Sequence, residues 1–341
     1  MSMLKKAIVP LLAAGVVVAL GAGPAAAQKQ ILRMAYWAGP SHHMVQTQEG
    51  WIKMIEEASG GNLTVELDKA PLAKPEGQYD LVKNGVRDMV WHVPAYTTGR
   101  FDMYQVAELP FLCPSASACA TGLWKWYHKH GLDKKEFTDT RLLVAFTHGP
   151  GAVHSVKPVK TLEELKDVKV RAGGAGVPIA KALGMSVVAM PATAAHEALQ
   201  RGTVEGVLFP WEAMPSFRLT ELVKAHLEIP GGMYVASFVI IINPSSFEKL
   251  TPANKAALLK VSGEVGSAYF GKKWDEADAR GKAEAAKLGH TIQTLAPAEL
   301  ERWRAKLQFV EDEWLKKAKD KGYDGKALLD DFKATVKGSS S

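Results

Sequence analysis

The stretch DVKVRAGGAGVPIAKALGMSVV, residues 167–188, decides how this chain is read. It passes from a short apolar strand through glycines into a helix opening at Pro178, and then into a second apolar strand. Strand, turn, helix, strand is the unit from which a mostly parallel sheet covered by helices is built. Gly174-Ala175-Gly176 has the look of a dinucleotide loop, but Ile179 stands where the third glycine of G-x-G-x-x-G belongs. The glycines are therefore read as permitting tight backbone geometry. Arg171 ends the first strand, and ligands of such sheets sit beyond the carboxyl ends of strands. A guanidinium there offers a planar fork that matches a carboxylate. The competing reading is a structural ion pair with Asp167 or Glu205.

The same unit extends in both directions. TLEELKDVKVRA opens on a capping box, Thr161 to Glu164. MSVVAMP reads as a strand, TAAHEALQRG as a helix and VEGVLFP as a strand. An earlier unit covers ILRMAYW, the helix after it, NLTVELD, PEGQYDLVKNG and VRDMVWHVP, with RLLVAFTH (141–148) as a further strand. Two α/β units are thus expected, joined through segments near 148–155 and 229–236, with a ligand cleft between them. Val235–Ile242 reads as a buried strand. From Thr251 onward the chain reads as long helices, one of them rich in i,i+4 charge pairs suited to a solvated face.

The amino terminus reads as a leader. Lys5 and Lys6 precede an apolar run from Ala7 to Leu20 and the small residues Ala25-Ala26-Ala27. This is the pattern of a secretory signal peptide cleaved near Ala27, so the mature protein is expected to be exported. No later apolar run is long enough to span a bilayer. The 341-residue chain is 47% hydrophobic and 23% charged, ordinary for a globular protein of about two domains. Its net charge is +6, and removing the two leader lysines leaves +4. The basic residues are scattered, which argues against a nucleic-acid partner.

Export permits a disulfide between Cys113 and Cys119 in FLCPSASACATG, although two buried thiols fit as well. His42-His43, His92, His148 and His154 show no HExxH or i,i+4 pairing, so no metal is expected; some are read as polar groups lining the cleft. There is no G-x-S-x-G. A secreted hydrolase or metal-dependent enzyme using His92, His148 or His154 remains the alternative. Trp37, Trp91, Tyr96, Phe209, Trp211 and Tyr234 fall at or just beyond strand ends and are read as an apolar cleft wall, with Trp124, Trp126 and Tyr127 assigned to helix packing.

Along nearly its whole mature length the sequence resembles the extracytoplasmic solute-binding proteins of tripartite ATP-independent periplasmic (TRAP) transporters, dicarboxylate-type. LRMAYWAGPSHHM, SGGNLTVEL, AELPFL, TLEELKDVKVRAGG and GTVEGVLFP match the family's pattern in order. The resemblance implies an α/β two-lobed flytrap with long C-terminal helices bracing both lobes. Lobe I would hold residues 28–148 plus about 232–260. Lobe II would hold 149–231 plus about 261–338. It implies a monomer without catalysis that closes on a small organic acid and docks on a membrane permease. The family's ligand-pairing arginine falls on Arg171. Phe209 precedes Pro210 where many members carry asparagine, and GPGAVHS lacks the second arginine of many dicarboxylate binders. A monocarboxylate of hydroxy, keto or aromatic type is therefore expected. The ligand set is read as Arg171, Phe209, Trp211, Trp91, His92, Tyr96, Trp37, His154 and Tyr234. No cofactor is expected, although some members bridge a ligand carboxylate with calcium.

Overall fold

The computed structural model describes residues 29–339; the leader and its cleavage site lie outside the described residues. The strands are β1 (Gln30–Ala35), β2 (Leu63–Leu67), β3 (Met89–His92), β4 (Arg141–Thr147), β5 (Ala152–Ser155), β6 (Lys169–Ala172), β7 (Ser186–Ala189), β8 (Gly206–Phe209), β9 (Ala225–Glu228), β10 (Ser237–Ile242) and β11 (Thr291–Thr294). They form two sheets. The order is β2-β1-β3-β10-β4 in the first and β11-β9-β5-β8-β6-β7 in the second.

Within each sheet the early strands pair parallel, as the strand–helix alternation predicts. β10 and β5 do not: each runs antiparallel to both neighbours. The sheets are mixed, and the cause is the chain path. β5 directly follows the crossing out of the first lobe, and β10 directly follows the crossing back. β10 reads SFVIII and is buried along its length, the composition of a central strand covered on both faces.

The two crossings are tied to each other. Gly151 N–H donates to Tyr234 O at 2.9 Å, and Met233 N–H to Gly151 O at 3.1 Å. His148 N–H donates to Ala236 O at 3.2 Å. The His148 ring closes the ladder, its Nε2 accepting from Ala236 N–H at 2.8 Å and its Nδ1–H donating to Gly149 O at 2.6 Å. The hinge is thus a short two-stranded ribbon.

The helix around Pro178 spans Gly176–Ala182, so it opens two residues before the proline. The helix Pro252–Lys260 begins at a Thr251 cap with proline in its first turn. The brace is the helix Gly263–Lys287. Its first half lies on the first lobe, where Gly266 meets Val144 and Gly271 meets the Ser117 backbone. Its second half reaches the second lobe: a Cβ on Gly281 would stand 2.2 Å from Trp211 O, so only glycine lets the helix come this close.

The sequence reading gives all of 261–338 to lobe II, and here the packing differs. Helix Pro297–Asp320 buries Trp303 and Leu307 in the second lobe's core and Trp314 and Ala318 in the first lobe's. The last helix, Gly325–Gly338, lies on the first lobe, with Phe332 against Trp126 at 5.5 Å and Trp126 Nε1 donating to Leu328 O at 2.9 Å. Apolar burial decides this, since truncating a core aromatic costs about 3–5 kcal/mol. Cys113 and Cys119 are joined as a disulfide, with Cα atoms 5.5 Å apart. Among the described residues no helix is long and apolar enough to cross a membrane.

Candidate ligand-binding site

β6 carries Arg171 to the middle of the second sheet, level with Val188 of β7 and Val207 of β8. Its guanidinium is fixed by carbonyls at the neighbouring strand ends. Nε and Nη2 donate to Met190 O at 3.1 and 2.9 Å, and Nη1 donates to Leu208 O at 3.4 Å. The plane of the group lies over the Phe209 ring, 4.3 Å from its centroid. The Tyr96 hydroxyl of the opposite lobe also bonds to it. Gly173 makes room, because a Cβ there would stand 2.6 Å from Arg171 Nη2. The first glycine after the strand is thus needed for the arginine's own side chain.

Arg171 is 2% exposed. Burial lowers its pKa below the usual value, and the Tyr96 and Tyr234 phenols oppose that shift. Among the described residues no carboxylate pairs with it, so neither Asp167 nor Glu205 serves as its ion-pair partner. A guanidinium out of water without a counter-charge is costly. Its carbonyl and phenol partners do not exhaust its five N–H donors.

The arginine faces a cavity of about 50 Å³ between the lobes. Phe209, Phe217, Tyr234 and Glu212 line it from the second lobe, Trp37, His42, Tyr96 and Phe238 from the first, and Trp274 from the brace. One wall is continuous: Phe209 stacks on Phe217 at 5.5 Å, and Phe217 meets the His42 ring edge-on at 4.9 Å. Trp274 stacks on Phe238 at 5.2 Å across from it. The indole N–H groups of Trp37 and Trp274 are buried without partners. A larger groove of about 370 Å³ lies beside Trp211, Glu228 and Asp278, but it is open and holds no buried unpaired cation.

Of the residues singled out in the sequence, Arg171, Phe209, Tyr96, Trp37 and Tyr234 come together around the cavity. Four do not. Trp91 is wholly buried behind Trp37, with ring centroids 4.4 Å apart. His92 points to the other side of its sheet, bonded to Thr97 Oγ1 at 3.2 Å and packed near Phe101 and Tyr79. Trp211 turns away and donates from Nε1 to Glu228 Oε1 at 2.9 Å. His154 sits behind the wall, with Nε2 3.1 Å from Phe209 O and Nδ1 2.7 Å from His226 Nδ1. Strands buried on both faces carry no alternation to say which face meets a cleft.

Sequence reasoning missed Glu212, Phe217, Phe238 and Trp274; His42 and His148, which also line the cavity, belong to the histidines of which some were read as cleft-lining polar groups. Glu212 had a signal: it is a lone carboxylate just after the apolar run GVLFPW. Trp274 had only helical spacing with Phe270 and Ala277.

His42, His43 and Glu212 bring ligating atoms within 4.8 Å of one another. A metal fits them poorly. His42 caps its helix, with Nδ1 accepting from Met44 N–H at 3.2 Å. The ring is neutral, held to a pKa of about 3 by burial, so its proton must sit on Nε2. That nitrogen then has no lone pair for a metal.

The profile of bacterial extracellular solute-binding protein family 7 matches residues 34–317. The chain belongs to that family. It is 32% identical to a TRAP periplasmic solute-binding protein of Bordetella bronchiseptica solved with (R)- and (S)-mandelate, covering 91% of this chain and 99% of that one, with a TM-score of 0.86. It is 31% identical to a TRAP solute-binding protein of Rhodoferax ferrireducens solved with copurified benzoate, covering 92% and 99%, with a TM-score of 0.85. Among curated proteins it is 27% identical over 288 residues to the outer membrane transporter protein TsaT of Comamonas testosteroni, covering 83% of this chain and 85% of the relative. The protein is a TRAP-type solute-binding protein, a transport family and not an enzyme family, periplasmic in location, whose members take small carboxylates and work with TRAP permeases.

Proposed function

We propose that this protein captures an aromatic monocarboxylate and hands it to a TRAP permease. One observation carries the reading: Arg171 is buried without a carboxylate partner in a cavity walled largely by aromatic rings. One guanidinium neutralises one carboxylate. A second carboxylate would be buried without a cation, at a cost of several kcal/mol by rough estimate. The apolar wall of Phe209 and Phe217 suits a ring. Mandelate and benzoate, bound by the two solved relatives, are acids of this kind.

The cavity is lined from both lobes, so the ligand completes its contacts only in the closed form. Binding therefore shifts the population toward closure. In this reading the arginine alone supplies the counter-charge and no bridging calcium is needed, the leader is removed near Ala27, and the mature protein acts as a monomer. The test is a thermal-shift screen of the mature protein from Gln28, unfolded and refolded to strip captured ligand. A panel of mono- and dicarboxylates is run with calcium and with a chelator. At 100 times its Kd a ligand adds roughly 2.7 kcal/mol, a rise of a few degrees. Aromatic monocarboxylates should give the largest shifts in both conditions. Larger shifts from succinate or malate, or shifts seen only with calcium, refute the reading.

A further inference from the structure

The cavity has two poles, and only one is explained by a carboxylate. At the end away from Arg171, where the Phe209–Phe217 wall reaches His42, stands a second set of polar groups. Glu212 is 2% exposed, and its Oε2 has no hydrogen-bond partner. It lies 3.4 Å from His43 Nε2 and 3.9 Å from His42 Nε2 without bonding to either. Both nitrogens of His43 are also unpartnered. Buried polar atoms in a native protein are rarely left so. Several at one end of a cavity mark the position of a ligand's polar atom.

The chemistry of that atom follows from the donors. The helix cap on His42 Nδ1 leaves the proton on Nε2, so His42 presents a donor. Glu212 Oε2 presents lone pairs. Burial, with Asp278 close by, raises the Glu212 pKa well above the carboxylate range, so its carboxyl can also donate. An ammonium has nothing to accept with, a methyl can neither accept nor donate, and an ether can only accept. A second carboxylate would be buried there with no cation within ion-pair distance among the described residues. A hydroxyl accepts from His42 and donates to Glu212.

We propose that Glu212 and His42 select a hydroxyl at the end of the ligand remote from its carboxylate, which makes the preferred ligand a hydroxylated aromatic acid. This rests on the carboxylate reading of Arg171, and the experiment separates the two. Calorimetric titrations on the refolded mature protein compare benzoate with 3- and 4-hydroxybenzoate and with 3- and 4-methylbenzoate. One hydroxy isomer should bind about ten-fold or more tighter than both benzoate and its methyl counterpart, because the parent acid leaves the buried pair unmet. In Glu212→Leu and, independently, His42→Phe, the ratio of hydroxy acid to methyl acid should fall to about three or below. The wild-type comparison stands even if neither variant folds. Benzoate or a methylbenzoate binding as well as the tighter of the two hydroxy acids overturns the proposal while leaving Arg171 as the anchor. No binding by any of the acids defeats the carboxylate reading and this inference with it.

Discussion

Two sets of histidines lie on opposite sides of the Phe209 wall, and they are wired differently. Behind the wall, His154 Nε2–H donates to Phe209 O, which leaves His154 Nδ1 to accept from His226 Nδ1–H at 2.7 Å. His226 Nε2 then accepts from His290 Nδ1–H at 3.0 Å. Each proton in this row is fixed by the carbonyl at its head. On the cavity side, His43 has no partner, and His42 uses one nitrogen on its own helix and leaves the other facing Glu212. Both sets are buried and held neutral, so burial and pKa do not separate them. Unmet hydrogen-bonding capacity does. In the row behind the wall only the outermost atom, His290 Nε2, lacks a partner; a row satisfied at its inner members is scaffold, whereas an unsatisfied cluster against a cavity awaits a ligand.

The sharpest test of that contrast is the group with the greatest unmet need. Arg171→Ala removes the only buried cation at the cavity among the described residues. Ligand affinity should fall by roughly 2–5 kcal/mol, the range for breaking a buried charge pair. Titration calorimetry with the best acid of the screen measures it. Circular dichroism should show an intact fold, since the arginine is bound there by carbonyls that Tyr234 also satisfies at Leu208 O. Unchanged affinity in a folded variant would remove Arg171 from the site.

Arg171 was legible in the sequence because its signal is local: one charged residue ends an apolar strand before glycines. The two α/β units and the paired crossings were legible for a similar reason, since strand–helix alternation is written in short windows. The strands β5, β9 and β11 were not: AVHS, AHLE and TIQT mix apolar and polar residues without the VW, VV or VLF core that marks the equally short β3, β7 and β8. Trp91 and Trp37 both end strands, and only packing shows that one shields the other. The remote pole was least legible. It joins a helix cap at His42, a strand end at Glu212 and the brace at Trp274, and no spacing rule connects positions so far apart in the chain.

A smaller change tests whether the arginine's placement matters as well as its charge. Gly173→Ala puts a methyl where Arg171 Nη2 lies. The guanidinium must shift away from Met190 O or the backbone must give, and overpacking of this kind costs about 1–3 kcal/mol. The loss should appear in acid affinity with the arginine still present. A Gly173→Ala protein that binds as tightly as wild type would show that the guanidinium has slack.

The smallest effect on binding is expected behind the wall. His226→Gln cuts the row between His154 and His290 but touches nothing that lines the cavity, so acid affinity should change by less than about 0.5 kcal/mol. Its signature is instead in stability against pH. Burial holds His154 at about 3 and His226 at about 4, both below the 6.5 of an unfolded chain. Below pH 6.5 the unfolded state therefore takes up protons that the folded state refuses, and the folded state loses ground as the pH falls. For a fully shifted histidine the slope is about 1.4 kcal/mol per pH unit, running from pH 6.5 to its folded pKa. Glu108, raised to about 7, and Asp278, raised to about 8, act in the opposite sense, losing their contribution as the pH rises through those values. They are common to both proteins and cancel in the comparison. Denaturant titrations from pH 7 to 4 should give a flatter fall for His226→Gln than for wild type, by up to one histidine's worth. If the variant instead lost acid affinity and kept the wild-type slope, the row would belong to the binding site and the division drawn at Phe209 would be in the wrong place.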